Sequence, residues 1–244
     1  MHNPAAQSAV SDALVKFATS PLQAAGAHAA DAAAGALAQA RASFAALDDA
    51  GKKVAALLTQ QGSGPHDARV RAWALGAALS TQKASSATPV LAAVIATGEL
   101  LSSSEADIAA AAAIGIEAAA RILAAVDSEE FRTRWNVASS LGVLGAVLAV
   151  ARLLKLDETR TRHALGIAAT QAAGLAHNAG DTLAAIETGK AAADAIEAAL
   201  MAKHGFTSAP ASIDGRRGFA ALMAYRFDEA SITGGLGERW TSLG

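Results

Sequence analysis

Apolar positions along this chain recur every three to four residues, and short polar stretches interrupt them. That period predicts helices rather than strands. Residues 11–17 predict a short helix ending near Ser20-Pro21, and residues 22–47 a long Ala-rich one. Asp48-Asp49 reads as a turn, or as an acidic cap on a helix running to Leu58. Residues 60–65 predict a loop, with Pro65 placed to open the next helix. Further helices are expected over 67–79, 90–101, 105–126 and 158–175. An apolar helix should end near Leu156, and a last long one should run from about Glu187 to His204. Ser104 and Asp157 stand where N-caps belong. Polar connections are expected at 80–89, 127–135 and 177–182, with a second turn at 214–218 and a Gly-rich tail after it. No repeat of fixed period stands out. The pattern predicts one all-α domain over residues 1–244, a bundle of about ten helices with antiparallel neighbours.

Composition sharpens this picture. Of 244 residues, 52% are hydrophobic but only 4% aromatic, so the core must be built from Ala, Leu, Val and Ile. Ala has the best helix propensity and lets helices pack closely. The most apolar window, residues 141–156, carries Arg152 and Lys155. It is shorter than the ~20 residues needed to span a bilayer, so it reads as a buried core helix and no membrane is expected. The opening residues lack the basic-then-apolar order of a secretory signal, and a cytoplasmic location is expected.

Charge and chemistry-bearing residues narrow the function classes. The net charge is −2, with no basic stripe, so nucleic acid is not an expected partner. The absence of Cys excludes disulfides, thiolate metal sites and Cys nucleophiles. Six scattered His residues show no metal-ligand spacing, so no metal is expected. No phosphate-binding Gly loop occurs, so no cofactor is expected either. Gly62-Ser63-Gly64 lacks the spacing and preceding strand of a serine nucleophile elbow.

Four segments carry a resemblance. They are LLKLDETRTRHALGIAATQAAGL at 153–175, GDTLAAIETGKAA at 180–192, HGFTSAPASIDGRRGF at 204–219 and GGLGERW at 234–240. In order and spacing they resemble the MmgE/PrpD family, which holds dehydratases, decarboxylases and epimerases of small di- and tricarboxylates, 2-methylcitrate dehydratase among them. A weaker similarity reaches back through SATPVLAAVIATGE at 86–99. The resemblance implies the family's helical domain without its smaller α+β lid. Residues 235–244 would then be a remnant of the connection toward that lid. It also implies proton transfer beside a carboxylate, by His, Lys and Asp on loops at the domain junction and without a metal.

Carried across residue by residue, that chemistry is replaced. The family's aspartate-rich segment corresponds to Ser80-Thr81-Gln82-Lys83, and the His of its "HPSAP" piece falls near Ser85. Asn136 stands at the His of the family's "G-F/W-H-P-T". In the segment that the family writes G-S/T-x-x-K-x-x-H-x-G-R/K-A-A, Ala184 stands at the Lys and Glu187 at the His, while Gly189 and Lys190 are kept. Asn cannot serve as a proton base at neutral pH, and Ala cannot neutralise a carboxylate. A catalytically degenerate relative is the expectation.

Several residues stay open as candidates. His177, in the turn HNAGD, reads as a relocated base oriented by Asp181 or, more plainly, as a solvated histidine. Glu187 and Lys190 could hold a polar ligand, or pair with each other on the helix surface. Asn136 and Thr182 are further ligand-binding candidates. Arg132, Arg134, Arg216 and Arg217 could grip a carboxylate in two-point fashion, against a solvated role. His163 reads as a helix-surface or core histidine. The expected functions are binding of a small carboxylic acid or a protein partner, a divergent but active lyase or isomerase, or a structural assembly module. The expected partners are a second copy, in a homodimer, or a catalytic paralogue in a heteromer.

Overall fold

A computed structural model describes residues 8–47, 49–61, 67–81 and 84–243. Its helices are α1 (Ala9–Thr19), α2 (Ala24–Ala45), α3 (Asp49–Gln61), α4 (Ala68–Ser80), α5 (Ala87–Leu101), α6 (Glu105–Val126), α7 (Glu129–Arg134), α8 (Val137–Leu153), α9 (Glu158–Gln171), α10 (Thr182–Lys203), α11 (Phe219–Met223) and α12 (Glu229–Thr233). A 3₁₀ turn at Ala176–Asn178 lies between α9 and α10. The architecture is all-α. Among the described residues the only sheet-like pairing is an isolated antiparallel bridge between Trp135 and Leu175.

Small polar side chains start the helices by accepting from their otherwise unpaired first-turn N–H groups. Ser104 accepts from Asp107 N and so opens α6, and Asp157 accepts from Arg160 N to open α9. Asp67 caps α4 through Arg69 N, so the helix starts at Ala68; Asp48 and residues 62–66, Pro65 among them, lie outside the described residues. The stretch 127–135, expected to be a connection, contains α7, which Ser128 caps through Phe131 N.

Two boundaries depart from the expected pattern around one place. Helix α9 stops at Gln171 rather than Leu175, and α10 starts at Thr182 rather than Glu187. The backbone of 174–175 is instead drawn against 135–136, with Asn136 N donating to Gly174 O at 3.0 Å. Gly174 has φ +121°, and a Cβ there would stand 2.1 Å from Ser139 Oγ. Only glycine satisfies both conditions, and α9 cannot continue through such a residue. Asp181 is extended (φ −109°, ψ 161°), which sets the boundary of α10 five residues early.

Helix α8 forms the centre, with only Val137 and Arg152 escaping full burial. It packs on α5, α6, α9 and α10, while α4 packs on α3, α5 and α10. Leu141, Leu144, Leu148, Ile95, Ile114 and Ile122 are among the large side chains of the core, and Ala fills much of the rest. Helix α6 is long and apolar enough to cross a membrane, but 78% of that stretch is buried against other helices. The apolar window read as a core helix is indeed the buried α8.

Helices α4 and α10 meet backbone to backbone. An added Cβ on Gly189 would lie 2.3 Å from Trp73 O and 2.5 Å from Ala77 N, and one on Gly76 would lie 2.9 Å from Gly189 Cα. Trp73 Nε1 donates across the same crossing to Ile186 O at 3.1 Å.

One buried ion pair fixes the C-terminal segment. Glu117 and Arg121, one turn apart on α6, are 0% and 3% exposed and 2.7 Å apart. Arg121 donates to the carbonyls of Ile232, Gly234 and Arg239. Glu117 accepts from the backbone N–H and hydroxyl groups of both Thr241 and Ser242. The GGLGERW segment is therefore held directly against α6.

Candidate functional site

A cleft of about 810 Å³ opens where α4 ends and where α5, α8 and α10 begin. That volume suits a small molecule. Ser80 and Thr81 come from the end of α4, Ser85 and Ser86 from the entry to α5, and Asn136 from the entry to α8. Asp181, Thr182, Ala184 and Thr188 come from α10 and the turn before it, and Arg132 from α7. Leu123, Val137, Ala138 and Ala185 supply apolar wall.

Three helix N-termini share this lining with the end of α4 and the last turns of α6 and α7. The positive ends of helix dipoles favour an anion. Helix α8 is capped, since Asn136 Oδ1 accepts from Ala138 N at 3.1 Å. Helices α5 and α10 have no side-chain cap, so first-turn N–H groups remain for solvent or a ligand. The hydroxyls of Ser80, Thr81 and Thr188 donate to carbonyls of their own helices. Among the described residues, no hydrogen bond occupies the hydroxyls of Ser85, Ser86 and Thr182.

Arg132 is the cation of the described lining. Its Nε and one terminal nitrogen donate to Asp127 at 2.6 and 3.0 Å, which leaves Nη1 unused. The hydrogen bond to Asp127 holds its pKa above the ordinary arginine value, so it stays charged.

The positions at which the resemblance predicts chemistry converge here. Ser80, Thr81, Ser85, Asn136 and Ala184 all line the cleft, and Gln82 and Lys83 lie outside the described residues. Glu187 sits one hydrogen bond behind the wall. Its two oxygens accept from Asn136 Nδ2 at 3.3 Å and from Asn178 Nδ2 at 3.0 Å. Glu187 thus ties the 3₁₀ turn to the entry of α8, and it does not pair with Lys190. That expected ion pair is replaced, because Lys190 reaches Asp194 one turn further on at 2.6 Å. Burial pushes the Asp194 carboxyl up, and the hydrogen bond from Lys190 opposes that only in part.

Other candidates separate. His177 is exposed on the 3₁₀ turn, outside the lining that holds Asp181, and no hydrogen bond joins the two. His163 on α9 accepts from Ser208 N at 3.1 Å, which assigns it to holding the loop after α10. Arg216 and Arg217 are exposed in their turn, and Arg134 is exposed at the end of α7. Among the described residues no group of three or more His, Asp or Glu comes together to hold a metal. Arg132, for which carboxylate binding and a solvated role both stand open in the sequence, lines the cleft from α7 and is about half exposed.

Residues 78–230, well over half of the chain and including every described wall of the cleft, match the MmgE/PrpD N-terminal domain. Human cis-aconitate decarboxylase is 33% identical over 112 residues, a stretch that spans 46% of this chain and 23% of the human protein. The mouse cis-aconitate decarboxylase is 30% identical over 112 residues, with the same coverage.

Proposed function

This chain belongs to the MmgE/PrpD family, and from that premise we propose that it binds a small carboxylic acid in the cleft between α4, α5, α8 and α10, without the family's proton-transfer chemistry. The observation that carries this reading is the convergence of the replaced positions. Ser80, Thr81, Ser85, Asn136 and Ala184 line one cavity, and none of them is a proton base at neutral pH. What remains there suits an anion: three helix N-termini, hydroxyl donors and the charged Arg132.

Glu187 could in principle abstract a proton, but both its oxygens accept from amides and it stands behind the wall. In this reading Glu187 positions the Asn136 amide and the 3₁₀ turn. His177 and Lys190 have no part in it.

Binding is testable without knowing the natural ligand. Calorimetric titration with cis-aconitate, the substrate that the relatives' names point to, should give saturable binding at one site. Arg132→Ala should weaken it by at least about tenfold, as expected for loss of a charge-assisted hydrogen bond. Arg216→Ala, at an exposed turn outside the lining, should leave it unchanged. Equal weakening by both variants, or no effect of Arg132→Ala, would remove the cleft from the account.

A further inference from the structure

The cleft holds a carboxylate that no described residue neutralises. Asp181 lines it, is exposed, and caps no helix N–H with its side chain although it sits at the N-cap position of α10. No ion pair or side-chain hydrogen bond engages it among the described residues. It occupies the place where the family form of this segment carries Ser or Thr. Three residues further on, Ala184 stands where the family form of the segment carries Lys. By that resemblance, the start of α10 carries an anion where the family form carries a cation.

A carboxylate beside a cleft built for anions is unfavourable unless the ligand brings something for it. Like charges that share one site repel each other. A fully substituted polycarboxylate would meet Asp181 with one of its own carboxylates. An acid whose carbon skeleton bears a hydrogen-bond donor would meet it with that donor instead. The donor could be a hydroxyl or an ammonium; both present a proton to a carboxylate. The rest of the lining agrees. The hydroxyls of Ser85, Ser86 and Thr182 can each donate or accept, and the helix N-termini and Arg132 serve the acid's own carboxylate.

We infer that Asp181 is the specificity-determining residue of this cleft, and that it selects a small acid carrying a hydroxyl or ammonium substituent over the unsubstituted acid. This inference rests on the acid-binding reading proposed above.

A matched series tests it: succinate, malate and aspartate differ only in the substituent, hydrogen, hydroxyl or ammonium. Calorimetric titration of the wild-type chain should show malate or aspartate binding at least about tenfold tighter than succinate, the scale of one hydrogen bond to a charged group. Which of the two binds tighter identifies the donor. Asp181→Asn and Asp181→Ser both retain a residue suited to an N-cap, so α10 should still start at the same place. Both variants should lose the preference, and succinate should bind them more tightly than it binds the wild type. Wild-type binding of succinate as tight as that of the substituted acids would overturn the inference and leave acid binding intact. A preference that survives in both variants would do the same. No binding of any acid, in wild type or variants, would overturn the acid-binding reading and the inference with it.

Discussion

Arg121→Ala should destabilise the folded chain by about 3–5 kcal/mol, the cost of leaving one member of a buried ion pair without its partner. Glu117 would then be 0% exposed with no cation beside it, and the carbonyls of Ile232, Gly234 and Arg239 would lose their donor. Urea unfolding at neutral pH would read the loss as a lower midpoint with an unchanged slope. Limited proteolysis should show cleavage appearing within residues 232–242. Glu117→Gln/Arg121→Met should be far milder than either single change, because removing both charges leaves neither one stranded. A double variant as unstable as Arg121→Ala would show that the pair contributes attraction rather than mutual rescue.

The same pair gives stability a pH dependence. Burial pushes the Glu117 carboxyl up, but hydrogen bonds from Ser242, Arg121 and Thr241 outweigh it and hold the group below its ordinary range. A depressed folded value means that the unfolded chain takes up the proton first as pH falls. The contribution is complete above the usual glutamate value of about 4.3 and is lost as pH drops through the depressed one. Arg121→Ala should flatten that acid limb.

Gly189→Ala should produce the second large effect, about 1–3 kcal/mol of destabilisation from overpacking. The new Cβ would stand 2.3 Å from Trp73 O and 2.5 Å from Ala77 N, both of them backbone atoms that no side-chain rotation can move. The helices must separate. Trp73 would then lose its hydrogen bond to Ile186 O, and its fluorescence should change relative to that of Trp135 and Trp240. Because residues of both α4 and α10 line the cleft, acid binding should weaken as well. Gly35→Ala, also within a helix and outside the cleft, is the matched control, since a Cβ there meets nothing within 4 Å. Equal losses from the two substitutions would contradict the close crossing as the cause.

Much of the fold was legible because it is written locally. Caps such as Ser104 and Asp157 announce helix starts through contacts three residues away, and the Ala-rich composition forces a tightly packed helical core. The boundaries that failed to read correctly depend on distant partners. Helix α9 ends early because 174–175 pairs with 135–136, almost forty residues back. Glu187 looked like half of an ion pair with Lys190, because helix spacing makes that pair available. Asn136 and Asn178 claim Glu187 instead, and Asp194 claims Lys190. The tail clamp left a usable signal. Glu117 and Arg121 are the only charges in the apolar run 108–126, one turn apart, and such a pair asks for burial partners that α6 itself does not supply.

The site was legible in a different way. The resemblance located the positions, and folding brought them together. It did not reveal that the entries to α5, α8 and α10 face one cavity, or that Arg132 shares it. The side chains at the positions singled out by the resemblance and the anion-favouring helix entries belong to one place, and the proposal of binding without proton transfer rests on both.

The most direct test of that claim is deuterium incorporation followed by NMR. The folded, helical protein would be incubated in D₂O with cis-aconitate, 2-methylcitrate, malate and aspartate, under conditions where calorimetry shows the cleft occupied. The account predicts bound acid with no exchange at carbon and no turnover. Exchange or turnover that disappears in Glu187→Gln or His177→Ala would contradict it and restore an active proton-transfer enzyme.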